Sequence, residues 1–167
     1  DNLAAARAAG DWIVEQTGGE GKALVLGGSV GHQTGDARKQ GVEEQLIAAG
    51  MEGIGDWSDW DQNKSAELTQ NALTANPDIN LIYAHNDEMG IGAVNALKGL
   101  GVSPGDVKII TIDGTKGALQ GIIDGWISGV IESNPRFGPL AFQALQDFYS
   151  GEGVPQITIL SDKEFTP

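Results

Sequence analysis

Short apolar runs alternate along this chain with longer segments whose apolar residues recur at helical spacing. Runs such as ALVL, NLIYA and VKIITI have the length and the branched side chains of buried strands. Between them, segments such as DEMGIGAVNALKGL have the periodicity of amphipathic helices. Strands separated by helices predict an α/β fold with a doubly wound parallel sheet, because a parallel strand is reached through a helical crossover.

Local signals predict the boundaries of these elements. Strands are expected at residues 23–26, 54–57, 80–84, 107–112, 127–131 and 156–160. Helices are expected at residues 1–17, 61–76, 86–101, 115–124 and 135–149, and a further helix ends at Gly50. The start signals are Asp or Asn before the first apolar position, and the stop signals are mostly glycines after the last one.

Composition limits the partners of this chain. It has 10 Lys and Arg against 23 Asp and Glu, and its net charge of −13 argues against nucleic acid, because a phosphate backbone requires a basic surface. There is no cysteine, so disulfides and thiolate chemistry are excluded. The apolar runs are far shorter than the roughly 20 residues of a membrane-spanning helix, and direct membrane insertion is not expected. The histidines lack metal-ligand spacing, so neither a metal nor a cofactor is expected.

Polar and aromatic residues follow several predicted strands at the point where each strand ends. These residues are His32, Trp60, Asn86 and Asp113. Because the carboxyl ends of parallel strands lie at one edge of a sheet, their side chains should converge on one crevice, the usual ligand site of such folds. Arg38 shares the inward face of the second helix near its start, so its guanidinium is expected at the same edge.

Each of these residues also has an ordinary structural explanation. His32 fits a solvated loop, and Trp60 fits a gap in the core equally well. Asn86 fits a helix cap, and Asp87 is expected to cap the same helix. Arg38 alternatively pairs with a neighbouring carboxylate. Taken together, however, the imidazole, amide, guanidinium and carboxylate match the donors and acceptors of adjacent hydroxyl groups, and an indole covers the C–H face of a sugar ring.

Four strings carry a family resemblance, namely LGGSVGHQTGDAR, SDWDQNKSAE, IYAHNDEMGIGAVNAL and ITIDGTKGAL. In order and spacing they resemble the carboxyl-terminal half of the type I periplasmic sugar-binding proteins, the ribose and galactose/glucose group that serves ABC importers. The resemblance implies sugar contacts from Arg38, Trp60, Asn86, Asp113 and His32, and at the hinge strand from Ser133 or Glu132. Thr34 stands where the galactose/glucose members have an aspartate, which leaves pentose and hexose as open alternatives.

The same resemblance implies an organisation and a function. Residues 1–132 are expected to form a carboxyl-terminal sugar-binding lobe, 133–161 a hinge crossing with a helix and strand of the amino-terminal lobe, and 162–167 a return crossing or tail. The implied protein is the solute-binding component of a carbohydrate ABC importer. It captures a monosaccharide outside the cytoplasm, has an ABC permease as partner and is not an enzyme.

Two other functions stay open at this point. One is the sugar-effector domain of a lactose-repressor-like transcription regulator, in which the same lobes sense sugar. The other, less favoured, is a sugar-modifying enzyme that uses Asp113 and His32 as an acid and base pair.

The last predicted helix carries an apolar face with no evident cover. Its apolar residues are Leu140, Phe142, Leu145, Phe148 and Tyr149. In the family that the chain resembles, the amino-terminal lobe covers this face, and an apolar patch of this kind favours association. Three arrangements are open: pairing with the amino-terminal lobe, exchange with a second copy of the chain, or folding of the helix back onto its own lobe.

Overall fold

The computed structural model describes residues 1–160 and 162–167. The strands of this described part are β1 (Lys22–Gly27), β2 (Glu52–Trp57), β3 (Ile79–Ala84), β4 (Lys108–Asp113), β5 (Gly129–Glu132) and β6 (Glu164–Phe165). Its helices are α1 (Asn2–Thr17), α2 (Gln33–Ala49), α3 (Gln62–Ala75), α4 (Asp87–Gly99), α5 (Lys116–Ile123) and α6 (Gly138–Tyr149). None of these helices combines the length and the apolar character that crossing a bilayer requires.

The strands form one sheet in the order β2-β1-β3-β4-β5-β6. β1 to β5 are parallel, and β6 pairs antiparallel with β5. α1 and α2 pack on one face of the sheet, and α3, α4 and α5 pack on the other. The predicted doubly wound α/β fold is confirmed, with an antiparallel strand added at one edge. The strand order changes direction between β1 and β3, and the carboxyl ends of such strands flank the crevice where these folds bind ligands.

α1 and α2 lie very close together over their face of the sheet. Asp1 caps α1, where its side chain accepts hydrogen bonds from the backbone N–H groups of Leu3 and Ala4. A Cβ atom added at Gly41 of α2 would lie 2.7 Å from the Cβ of Ala6 in α1. This approach leaves no room for a side chain at Gly41, and it fixes the position of α2 above the sheet.

The strand predicted at residues 156–160 is wrong. This segment has no regular structure, and Ile157 and Ile159 are exposed. A strand needs a neighbour to complete its backbone hydrogen bonds, and no described segment pairs with this one in the sheet. The branched side chains of QITIL therefore favour a strand only locally. A short β6 forms at Glu164–Phe165 instead, where β5 offers a free edge.

α6 packs on nothing in the described chain. None of its residues is buried. Its large apolar side chains are exposed, with Phe142 at 71 %, Phe148 at 68 % and Tyr149 at 80 %. The expectation that this helix folds back onto its own lobe is therefore wrong, because that arrangement would bury one of its faces. The two other arrangements remain predictions.

We expect the Gly41→Ala substitution to destabilise the fold by about 1–3 kcal/mol, because the added methyl group forces α1 and α2 apart. Urea unfolding followed by circular dichroism measures the change. Gly99→Ala in α4 is the matched control, since nothing lies within 4 Å of a Cβ atom there and alanine is the better helix former by about 1 kcal/mol. Equal stability of the two variants would contradict this account of the helix contact.

Candidate functional site

Arg38 joins three elements at the carboxyl edge of the sheet. Its side chain is 5 % exposed. Its Nη2 atom donates to Oδ1 of Asp113 at 3.1 Å, Nη1 donates to the backbone carbonyl of His85, and Nε donates to Oδ1 of Asn2 at 3.2 Å. Of the two explanations that the sequence left open for Arg38, the pairing with a carboxylate is observed, and its partner Asp113 is itself a predicted ligand residue.

Asp113 ends β4 in an unusual backbone conformation. Its φ of 142° lies in a region that favours glycine, and such strained residues tend to persist at functional sites. The side chain is 34 % exposed. Burial raises the pKa of the Asp113 carboxyl above its usual range, although the neighbouring Arg38 guanidinium acts in the opposite direction. One carboxylate therefore combines a fixed cation with access to solvent, as an acceptor for a ligand hydroxyl requires.

Asn86 is the N-cap of α4. Its Oδ1 accepts from the backbone N–H of Met89 at 2.9 Å, and the residue is half-buried. The Nδ2 atom of the neutral amide carries two N–H donors. Neither donates a hydrogen bond to the described part of the protein. Asn86 thus caps the helix with its oxygen and keeps its two N–H donors at the edge of the sheet.

Asp87 does not cap α4, contrary to the expectation from the sequence. It is fully buried. Its carboxylate accepts from the Thr111 hydroxyl and from the backbone N–H groups of Gly114 at 3.0 Å and Thr115 at 2.6 Å. Asp87 therefore bonds to the turn that carries Asp113, while its neighbour Asn86 caps the helix.

Trp60 and His32 lie at the other end of this edge. Trp60 is half-buried and has a φ of 61°. Its indole covers Gly28, where an added Cβ atom would lie 2.1 Å from the ring. His32 is exposed, precedes α2 without making a capping hydrogen bond, and meets Trp60 edge-on with 5.7 Å between ring centroids. Trp60 thus partly fills a gap in the core and partly faces solvent.

His85 lies between the Arg38–Asp113 pair and Trp60, and it was not predicted from the sequence as a site residue. It is fully buried, and its Nδ1 accepts from the backbone N–H of Gly28 at 3.1 Å. Its ring lies 6.1 Å from Trp57, 6.2 Å from Trp60 and 5.4 Å from Tyr83, measured between centroids. The alternation of residues in β3 could have predicted the burial of His85. Every second residue of LIYAH, namely Leu81, Tyr83 and His85, turns to the face covered by α1 and α2.

The environment keeps the His85 imidazole neutral. Burial lowers its pKa to about 3, and the positive charges of Arg38 and Lys39 add to the effect. A neutral imidazole has one donor and one acceptor nitrogen, so the bond from Gly28 to Nδ1 assigns the proton to Nε2. Nε2 has no partner within the described residues.

The residues predicted at the hinge, Glu132 and Ser133, lie beside Asp113. Glu132 is the register partner of Asp113 in the pairing of β4 with β5, and the backbone N–H of Ser133 donates to the Asp113 carbonyl at 3.0 Å. Glu132 is 5 % exposed. Its Oε1 accepts from Arg136 at 2.8 Å, and its Oε2 is buried without a partner in the described chain. Both candidates at the hinge strand are therefore close to the Arg38–Asp113 pair.

Within the described part of the chain, the predicted residues form a continuous rim along the edge of the sheet. Arg38, Asp113, Glu132 and Ser133 are linked by hydrogen bonds or by strand pairing, and Asn86 directly follows the residue whose carbonyl Arg38 binds. Trp60 and His32 reach this group through the ring of His85. The rim offers carboxylate acceptors, amide and guanidinium donors, and an indole face.

Residues 1–153 match the family model described as a periplasmic binding protein domain. The chain belongs to this family. Among curated relatives, this periplasmic binding protein domain is 42 % identical to the fructose import binding protein FruE of Bifidobacterium longum over 112 residues. The aligned region covers 65 % of the chain and 33 % of the relative. It is 31 % identical to the ribose import binding protein RbsB of Escherichia coli, over 92 % of the chain and 52 % of the relative.

Solved structures agree with this family assignment. A galactofuranose-binding protein superposes with a TM-score of 0.90 at 28 % identity, over 100 % of the domain and 59 % of that protein. The binding protein of an arabinose ABC transporter from Shewanella sp. ANA-3, solved with arabinofuranose, gives 0.91 at 26 % identity, over 99 % of the domain and 57 % of that protein. The domain thus spans about half the length of most relatives it matches, and a third of FruE.

We expect the free energy of unfolding to fall as the pH drops below 6.5. The unfolded chain binds a proton on the imidazole of residue 85 below about pH 6.5, whereas the folded domain does so only near pH 3. From this group alone the loss is about 2 kcal/mol between pH 7 and pH 5. Urea unfolding at a series of pH values measures it.

The His85→Gln variant isolates this effect, because an amide oxygen still accepts from Gly28 and does not titrate. Its unfolding free energy should change less with pH between 7 and 5 than that of the parent. Parallel pH profiles would show that His85 is not held neutral by the fold.

Proposed function

We propose that this domain supplies one lobe of a monosaccharide site in the solute-binding component of a carbohydrate ABC importer. The observation that carries the proposal is the ion pair between the buried Arg38 and the partly exposed Asp113 at the carboxyl edge of the sheet, with the half-buried Asn86 and Trp60 along the same edge. Fixed charged groups next to an aromatic face suit a neutral polyol, which needs paired donors and acceptors on its edge and an apolar cover on its C–H face.

Each residue has a distinct role in this proposal. Asp113 accepts from sugar hydroxyl groups, and Asn86 donates from its Nδ2. Arg38 donates from the guanidinium N–H groups that have no partner among the described residues, since it has five and three of them are bonded there. Trp60 stacks on the ring, with His32 beside it at the rim.

The hinge residues complete the proposed set. Glu132 accepts through its buried Oε2, which has no partner within residues 1–160 and 162–167. Ser133 is the alternative donor or acceptor at the same strand end. The ligand stabilises a closed state because both lobes contact it only there. One lobe alone buries little of the sugar, so the isolated domain should bind weakly.

The relatives support a binding function outside the cytoplasm. Two of them are named for import of fructose and ribose, and a structural relative is named for galactofuranose. Transport proteins of this kind hand their sugar to an ABC permease, which is the partner proposed for this domain. These names favour a binder over a sugar-modifying enzyme or a lactose-repressor-like regulator, and the varied sugars leave pentose and hexose equally open.

The proposed organisation assigns residues 1–132 to the sugar-binding lobe and 133–161 to the hinge and a second lobe, with 162–167 returning to the first. The exposed α6 supports it, because a helix with Phe142, Phe148 and Tyr149 in water needs a cover. An amino-terminal lobe, or a second copy that exchanges this segment, supplies that cover.

Asp113→Asn should weaken sugar binding roughly 10- to 100-fold, because a hydrogen bond to a charged group contributes about 1.5–3 kcal/mol. The asparagine retains an oxygen for Arg38, so the fold should persist. Chemical-shift titration with D-ribose, D-fructose and D-allose measures even weak affinities. Asp11→Asn, at an exposed position in α1, is the matched control. Binding by the Asp113→Asn variant as tight as by the control would mean that the site lies elsewhere.

We expect the domain on its own to self-associate through residues 133–160. Sedimentation velocity over a range of protein concentrations measures this, and hydrogen exchange reports protection beyond Pro135. Phe142→Glu should shift the equilibrium to monomer, whereas Ile123→Glu should not, although Ile123 is as exposed at 77 %. A monomer at every concentration, with unprotected amides in α6, would refute the proposed need for a cover.

A further inference from the structure

The fully buried carboxylate of Asp87 has no place in the proposed sugar contacts. Its three hydrogen bonds leave its own helix and go to β4 and to the turn after it, at Thr111, Gly114 and Thr115. Those residues surround Asp113 on both sides in the sequence. A buried carboxylate is costly unless donors satisfy it, so the fold has arranged this set of donors around one short segment.

We infer that Asp87 is a positioning residue that holds Asp113 in its ligand-binding conformation. This inference rests on the proposed function, since it presumes that Asp113 contacts the sugar.

The backbone of Asp113 needs such a restraint. A φ of 142° is unfavourable for a residue with a side chain, and strained conformations persist only where the surroundings hold them. The bonds from Gly114 and Thr115 to Oδ2 of Asp87 tie down the two residues that follow. The bond from Thr111 to Oδ1 ties down the strand two residues before it. Arg38 then binds the Asp113 side chain from the opposite face of the sheet.

The sequence position of Asp87 gives the restraint a second consequence. Asn86 precedes it directly and caps α4. The start of α4 therefore carries the proposed ligand residue Asn86 and, next to it, Asp87, which holds the turn after Asp113. The distance between the Asn86 amide and the Asp113 carboxylate is thus set by two adjacent residues. Preorganised groups lose less freedom when a ligand binds.

The geometry distinguishes two substitutions at this position. Asp87→Ala removes the acceptor for both backbone amides. Asp87→Asn retains one oxygen for Gly114 and Thr115, and the Thr111 hydroxyl can accept from the new amide by rotating. We expect Asp87→Ala to weaken sugar binding at least tenfold and Asp87→Asn to stay within about threefold of the parent. Thr69→Val removes a buried hydrogen bond of α3 away from this edge and is the control for general destabilisation.

A double-mutant cycle tests whether Asp87 acts through Asp113. Affinity for D-ribose, D-fructose and D-allose is measured by chemical-shift titration of the parent, of Asp87→Ala, of Asp113→Asn and of the double variant. If Asp87 only positions Asp113, its substitution should cost little further affinity once Asp113 is changed. Equal losses in both backgrounds would overturn the inference while the proposed function stands.

Hydrogen exchange without sugar gives an independent readout. The amides of Gly114 and Thr115 should lose protection in Asp87→Ala and keep it in Asp87→Asn and Thr69→Val. Unchanged protection in Asp87→Ala would overturn the inference whatever the sugar result. If the parent binds none of the sugars, the proposed function fails, and the positioning role fails with it even where the amides behave as expected.

Discussion

The ion pair between the buried Arg38 and the partly exposed Asp113 is the interaction on which the edge of this domain depends. It connects α2, which covers one face of the sheet, to the end of β4. The same guanidinium also binds the carbonyl of His85, the residue directly after β3. Removing Asp113 would leave the Arg38 guanidinium with little access to water, which proteins tolerate poorly. The pair therefore couples the packing of α2 to the position of the β4 turn.

Close packing around α2 restricts the movement of α2 and therefore of the β4 turn that Arg38 binds. Gly41 lets α2 approach α1, and Gly28 lets the indole of Trp60 lie directly on the loop after β1. His85 fills the space between, neutral and bonded to that loop. Small residues thus permit contacts that larger ones would prevent, and the polar groups at the rim gain fixed positions from an apolar and aromatic base.

Much of this arrangement could be predicted from the sequence. The first five strands and all the helices follow from apolar periodicity, and the inward face of α2 correctly indicated that the Arg38 guanidinium turns inward at the edge of the sheet, with pairing to a carboxylate as one of two open explanations. The failures concern tertiary partners. The pattern at residues 156–160 favours a strand, but no neighbouring strand completes it. Asp87 looks like a cap because Asn-Asp commonly begins a helix, whereas its partners lie in a turn 27 and 28 residues away.

His85 shows the same limit at the site itself. A histidine before an Asn-Asp pair looks like a loop residue, and only the register of β3 indicates that its ring turns inward. What makes it neutral is the combined burial under α2 and the nearby cations, and neither is visible as a local pattern. Local sequence determines which elements form. The protonation state and the partner of a buried side chain depend on residues distant in the chain.

The two ends of the sheet also differ in how they meet other molecules. β6 covers part of β5 with only two residues, while β2 leaves its outer backbone open at the opposite end. Glu52 and Asp56 are exposed along β2. Two copies that approached through this strand would bring like charges together. Charged side chains on an edge strand commonly protect proteins from edge-to-edge aggregation. The exposed carboxylates along β2 therefore oppose edge-to-edge pairing of two copies of the domain.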